Sequence, residues 1–309
     1  MINPEINTFL QVWNNAWSDL PEGAPITDRR LLFEYIADRM RMPHPDSVEV
    51  ATRFVRSEGR NVLCRIDRHS RGGVQPCLIY MHGGAWMQGS PMTHSDITSR
   101  IAEANAQTVI SVDYALAPEH PFPKAVHEVI DVARWVSENA ADLGIDPTRV
   151  AIGGDSAGAN LAAAACLKLR GTDAAPMAQL LVYPCVHFEM SFPSYQENAE
   201  GPLVRTRDMA ATNMMYCGSE ENLTHPLAAP LHAENHTGLP PAFIAVAEHD
   251  PLRDDGYAYA EILRAAGNDV TFDEGKGLIH GYLRAMAYCH DTRARLAAMT
   301  TWLNGMYTG

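Results

Sequence analysis

"AIGGDSAGANLAAAACL", residues 151–167, sets Ser156 among Gly153, Gly154, Ala157, Gly158 and Ala159, where an apolar run becomes an alanine-rich one. Its centre, Gly154-Asp155-Ser156-Ala157-Gly158, is a G-x-S-x-G that follows a predicted strand and opens a predicted helix. A strained turn between strand and helix leaves no room for side chains beside it, which accounts for the small neighbours. It also sets the serine at a helix N-terminus, where backbone N–H groups face developing negative charge. The bare pattern arises by chance in on the order of one chain in ten of this length, so the strand-to-helix setting carries the weight. A structural serine in a Gly-rich turn is the competing reading. A phosphate loop fits poorly, because no lysine occupies the G-K-[ST] position.

Outward from this stretch, short apolar runs recur between helical segments: 77–81, 108–114, 150–154, 179–184, 242–248 and 269–274. Strands alternating with helices argue for βαβ units and a parallel sheet, and "EVATRFVRS" with "VLCRIDRH" ahead of them reads as an antiparallel pair. Residues 124–144 place Val126, Val129, Ile130, Ala133 and Val136 on one helical face, with Gly144 as C-terminal cap. Two N-terminal helices carry apolar stripes, one through Ile6, Phe9, Leu10, Trp13, Trp17 and Leu20, the other through Leu31, Leu32, Tyr35 and Ile36. Residues 186–240 are too long for an ordinary connection, contain a helical candidate at 207–216, and read as a lid.

A serine hydroxyl needs a base, and the base needs an orienting carboxylate. In the strand-turn-helix setting the chain order is Ser, acid, His. Asp250 closes one later strand and His280 follows another, so both sit on the same sheet edge as Ser156. Asp254, Asp255 and Glu248 compete for the acid, and His249 for the base. After the strand at 77–81, "HGGAW" lets Gly83, Gly84 and Ala85 offer N–H groups that join that of Ala157 around an oxyanion.

The 309 residues are 46% hydrophobic and 20% charged, in the range of a folded globular chain with one large core. A formal net charge of -13 with no basic run argues against nucleic acid and anionic lipid as partners. No basic-plus-apolar leader and no run approaching a membrane span is evident, so a cytoplasmic location is expected. Cys64, Cys77, Cys166, Cys185, Cys217 and Cys289 form no C-x-x-C pair and read as core residues. His232 and His236 in "HAENH" lack a third ligand, and neither a metal nor a cofactor is expected.

Together these motifs resemble the hormone-sensitive-lipase-like esterases of the α/β-hydrolase fold. The similarity runs from about residue 77 to 285 through His82–Trp86, "SVDYALAPEHPFPKAV", "GDSAGANLA", "LPPAFIAVAEHDPLRDDG" and "IHGY". The resemblance implies a mostly parallel sheet of about eight strands flanked by helices. It implies a helical cap from residues 1–45 and an insertion at about 186–225, on a catalytic domain of 46–309. It makes Ser156 the nucleophile, Asp250 the acid and His280 the base, with Gly84, Ala85 and Ala157 as oxyanion donors supported by Gly83. Two departures stand out: Ala85 replaces a third glycine, and Ala115 replaces an arginine whose loss removes an ion pair. Should residue 85 need positive φ, alanine there costs roughly 1–2 kcal/mol.

The implied activity is a cofactor-free serine carboxylesterase acting on small esters, with Trp86 at the wall of a small acyl pocket and a homodimer through the edge strand at 269–274. An amidase or arylformamidase is the alternative within enzymes, because H-G-G-x-W also occurs in formamidase-like relatives. A non-catalytic ligand-binding module is the alternative outside them, and the presence of His280 argues against it.

Overall fold

The strand β3 (Gln75–Met81) shows how the sequence builds the sheet, since all seven of its residues are buried. Cys77, Ile79 and Met81 enter one hydrophobic core while Leu78 and Tyr80 enter another, the alternation of a strand covered on both faces. The chain is described here by a computed structural model covering residues 1–21 and 23–309. Around β3 the remaining strands are β1 (Val48–Ser57), β2 (Arg60–His69), β4 (Thr108–Val112), β5 (Ile145–Asp155), β6 (Gln179–Val182), β7 (Ala242–Ala245) and β8 (Val270–Asp273). They form one eight-stranded sheet in the order β1-β2-β4-β3-β5-β6-β7-β8. β1, β2 and β4 pair antiparallel, and every pairing from β4 through β3 to β8 is parallel. The sheet therefore matches the expected strand set and the expected antiparallel start.

The helices α4 (Lys124–Glu138), α6 (Ala157–Leu169) and α9 (Arg253–Ala265) contribute to the first core; α3 (Ser95–Ala104), α10 (His290–Thr308) and α1 (Pro4–Trp17) contribute to the second. In α6 all residues but Leu167 and Lys168 are buried, so its run of alanines lets it lie close against both sheet and α4. α4 buries the expected Val126, Val129, Ile130, Ala133 and Val136. It breaks at Asn139, and a single turn, α5 (Ala140–Leu143), ends on Gly144 at φ 63°, the left-handed cap anticipated there.

The helix α2 (Ile26–Met40) corrects the expected stripe. Phe33 and Ile36 are its buried residues, whereas Leu31 and Tyr35 stand 70% and 57% exposed. The cause is a rotation that presents Arg30 and Phe33 inward: the Phe33 ring packs 6.1 Å from Trp13 and 6.0 Å from Trp17, and Arg30 is anchored by hydrogen bonds described below. The segment between β6 and β7 folds as α7 (Ser194–Glu197), α8 (Thr206–Cys217) and two 3-10 turns, and α8 contains the helix expected at 207–216. All six cysteines are buried and unpaired. Among the described residues no helix is long and apolar enough to cross a membrane.

Candidate active site

Register places the serine. β3 and β5 run parallel with Met81 opposite Gly154, and Ser156 follows at φ 55°, ψ -119° as N-cap of α6. A Cβ on Gly154 or on Gly158 would strike the Met81 carbonyl, and one on Gly153 would come within 2.7 Å of the Leu180 carbonyl. The small residues around Ser156 are thus required by backbone approaching backbone on both sides. Ser156 N–H donates to Val182 O at 2.8 Å, tying the turn to β6.

A second pair of loops brings in the partners. A bridge joins His249 to Ile279, with His249 N–H donating to Leu278 O at 3.0 Å, so the next residue on each strand, Asp250 and His280, lie side by side. His280 Nδ1 donates to Asp250 Oδ2 at 2.7 Å, and His280 Nε2 lies 2.9 Å from Ser156 Oγ. Asp250 is fully buried, its Oδ1 accepts the Leu252 N–H, and Asn198 of the insertion donates to its backbone carbonyl. The competitors are engaged elsewhere. Glu248 accepts from Gly277 N–H, Asp254 from Ser194 N–H, and Asp255 from Tyr195 OH and Val186 N–H. His249 sits 3.8 Å from Glu248.

The turn after β3 carries three N–H groups, of Gly84, Ala85 and Trp86, that donate to no protein acceptor among the described residues; the N–H of Ala157 at the start of α6 is likewise unengaged. Gly83 differs from the expectation that it could donate. Its N–H is spent on Asp155 Oδ1 at 3.0 Å and His94 Nε2 at 3.2 Å, and a Cβ there would strike Asp155, so Gly83 supports the loop without serving it as a donor. Ala85 and Trp86 have φ of 55° and 57°, so the alanine does occupy the left-handed region. Trp86, only 3% exposed, stacks on Tyr216 of α8 at 4.2 Å and meets Phe188 edge-on at 5.7 Å. The indole is therefore packed against the insertion.

Beneath Ser156 lies a polar cluster that sequence reasoning passed over. Asp155, in the nucleophile motif itself, accepts from Tyr80 OH at 2.8 Å and from Gly83 N–H. Burial alone would raise its carboxyl; the Arg284 charge and the Tyr80 hydroxyl act the other way, and the group is held below the usual carboxylate range. His94 Nε2 accepts from Gly83 N–H and lies 2.7 Å from Arg284 Nη2, which leaves its other nitrogen to donate to Thr93 Oγ1 at 2.8 Å. Arg284 in turn lies 4.5 Å over the Phe33 ring of α2. His82, stacked on Tyr114, is pushed down to about 3, chiefly by burial, so it is a neutral ring. Asp155 could have been suspected from its place in the motif; His94 and Arg284 belong to no pattern.

α2 is latched to the same loop. Arg30 donates to Met87 O at 2.7 Å and Ala117 O at 2.9 Å and pairs with Glu119. Beside Ala115, where the expected ion pair is missing, lies a buried ion pair from another strand. Glu128, fully buried, accepts the Ala115 N–H at 2.7 Å and pairs with Arg60 of β2 at 2.8 Å.

The comparisons with known proteins follow from this geometry. Residues 78–284 match a family described by its alpha/beta hydrolase fold. The carboxylesterase NlhH of Mycobacterium tuberculosis is 42% identical over 213 residues, covering 67% of this chain and 66% of its own. The chain thus spans just under two thirds of that relative. The ethyl acetate hydrolase of Pseudomonas putida is 34% identical over 294 residues, 92% of each chain. Among solved structures, an ester hydrolase from the metagenome of Lake Arreo, complexed with a derivative of bipyridine phosphonate, superposes with TM-score 0.93 at 32% identity over 100% of both chains.

Proposed function

The chain belongs to the α/β-hydrolase-fold family, and we propose that it is a serine carboxylesterase that cleaves short-chain carboxylic esters through an acyl-enzyme on Ser156. The observation that carries this reading is the unbroken relay from Ser156 Oγ through His280 to buried Asp250, 2.9 Å and 2.7 Å, with nearby N–H donors that have no partner among the described residues. Esterase relatives support it at the level of the reaction class.

In this mechanism His280 Nε2 takes the hydroxyl proton as Ser156 Oγ bonds to the ester carbonyl carbon, and the oxyanion is held by N–H groups of Gly84, Ala85 and Ala157. Asp250 keeps Nδ1 protonated and stabilises the imidazolium. The imidazolium then gives its proton to the departing alkoxide, leaving the acyl group on Ser156. Water repeats the sequence: it loses a proton to Nε2, bonds to the acyl carbon, and the carboxylic acid leaves as Ser156 regains its hydrogen. Ser156→Ala should lower p-nitrophenyl butyrate turnover by on the order of 10⁴-fold or more. Retained turnover would overturn the assignment.

Residues 1–45 and about 186–225 act in this reading as the cap on a catalytic domain of 46–309. The Arg30 latch and the stacking of Tyr216 on Trp86 support it. With Trp86 closed in by Tyr216 and Phe188, the acyl pocket is small, and a p-nitrophenyl ester series from acetate to laurate should peak among the short chains. A cytoplasmic location accords with six unpaired cysteines, and cell fractionation tests it. Dimerisation through β8, the last strand of the sheet, would appear as a doubled mass by size-exclusion chromatography with light scattering.

A further inference from the structure

The insertion between β6 and β7 begins and ends side by side. Leu231 N–H donates to Val186 O at 3.1 Å, which ties the strand leaving β6 to the 3-10 turn Pro230–His232. The next residue along each segment is a histidine, and the two imidazoles, His187 and His232, lie nearly parallel with centroids 5.5 Å apart. Glu189 turns its carboxylate onto both: Oε2 is 3.4 Å from His187 Nε2 and Oε1 is 3.9 Å from His232 Nε2. One donor atom from each of the three residues falls within 4.8 Å of the other two.

The polar bookkeeping of this cluster is incomplete. His187 is only 4% exposed, yet its Nδ1 has no hydrogen-bond partner among the described residues, and neither does the buried Nε2 of His232. Of these two, His232 Nε2 is the one turned towards the Glu189 carboxylate, and an imidazole nitrogen out of contact with solvent and unpaired there is a costly arrangement for a merely structural contact. His236, the second histidine of the "HAENH" stretch, is not part of the cluster: its Nε2 is paired with Pro230 O at 3.0 Å.

We propose that His187, Glu189 and His232 form a binding site for a divalent transition-metal cation of the Zn²⁺ class, with the fourth position open to water. Two imidazoles and a carboxylate are a donor set that suits borderline cations such as zinc. Zinc–ligand bonds of about 2.0–2.2 Å put tetrahedral donors about 3.3–3.5 Å apart, so the 3.4 Å separation here already fits, and separations of up to 4.8 Å need to contract by up to about 1.5 Å. The exposed side of Glu189 gives the ion its entry. The cation would clip together the two ends of the insertion. Because Phe188 lies between two of the ligands and packs edge-on against Trp86, the clip would also stiffen the wall beside Ser156.

The site stands apart from the hydrolytic reading, and its test does not depend on that reading. Protein stripped with EDTA is titrated with ZnCl₂ by calorimetry, and its thermal unfolding is followed with and without the metal. One zinc per chain with micromolar or tighter affinity and a higher unfolding temperature is expected, and Co²⁺ in its place should give the visible absorption of a tetrahedral site. Glu189→Gln, at an exposed position that the fold tolerates, and His232→Ala should each weaken zinc binding at least tenfold. Their hydrolysis of p-nitrophenyl butyrate in EDTA should stay at the parent level. No zinc-linked stabilisation, or binding undiminished in both variants, would overturn the proposal.

Discussion

Two of the turns that hold non-glycine residues at positive φ on the rim of the sheet flank the serine, and they are held by different means. Ser156, after β5, is walled in by backbone: the register of Met81 against Gly154 leaves no space for a Cβ at Gly154 or Gly158. Ala85 and Trp86, after β3, are held by side chains, through Asp155 on the Gly83 N–H, Arg30 on the Met87 carbonyl, and Tyr216 on the indole. The first turn is a consequence of strand register and admits no adjustment. The second is assembled from removable parts, two of which come from α2 and α8, so the geometry of its N–H groups is open to tuning by regions far away in sequence.

If that contrast holds, disturbing the first turn should damage the fold and disturbing the second should damage turnover first. The largest effect belongs to Gly158→Ala, whose new methyl group meets the Met81 carbonyl. It should cost about 3 kcal/mol or more, read as a lowered urea midpoint or loss of soluble protein. Asp155→Asn removes the charge that organises Gly83 and Tyr80. It should lower kcat by about 10²-fold, the scale of losing one oxyanion donor, with the fold retained by circular dichroism. If Asp155→Asn leaves kcat intact, the donors are not positioned from below.

Acid should find the same region. His82 stays neutral down to about 3 in the folded chain, whereas in the unfolded chain it takes a proton near the ordinary histidine value of about 6.5. Between these values the unfolded state binds one proton more, so stability falls as pH falls, by about 2 kcal/mol from this residue between pH 6.5 and 5. His82→Gln should flatten that part of the pH dependence of the urea midpoint. The smallest effect is a gain. Ala85→Gly relieves a left-handed alanine worth about 1–2 kcal/mol but frees the unfolded chain by about 0.4–1, so a net stabilisation of about 0.5–1 kcal/mol is expected with little change in kcat.

The same contrast governs what could be read from the chain. Apolar runs bounded by turn residues gave the strands, and the parallel order follows from the helices between them, because each element's period reports its own burial. Ser156, Asp250 and His280 stood out because a strand end, a glycine turn and a chain order constrain them locally. Arg284, His94 and Tyr216 did not, since their roles come from tertiary approach: Arg284 meets His94 across a separation of 190 residues. The face of α2 was misjudged for a related reason. Its rotation is set by Arg30 hydrogen bonds and by the Trp13 and Trp17 rings, which outweigh the apolar pull of Leu31 and Tyr35. His187 and Glu189 lie some forty residues from His232 and become neighbours only once the Val186–Leu231 hydrogen bond closes the insertion.

The central claim is that Ser156, made nucleophilic by His280 and Asp250, takes an acyl group. Intact-mass spectrometry after treatment with diethyl p-nitrophenyl phosphate reads this directly, because a phosphoryl adduct on an activated serine does not turn over. A single diethylphosphoryl adduct, mapped to the peptide holding Ser156 and absent from Ser156→Ala and His280→Ala, is the expected result. An unmodified chain, or an adduct on any other residue, would contradict the account.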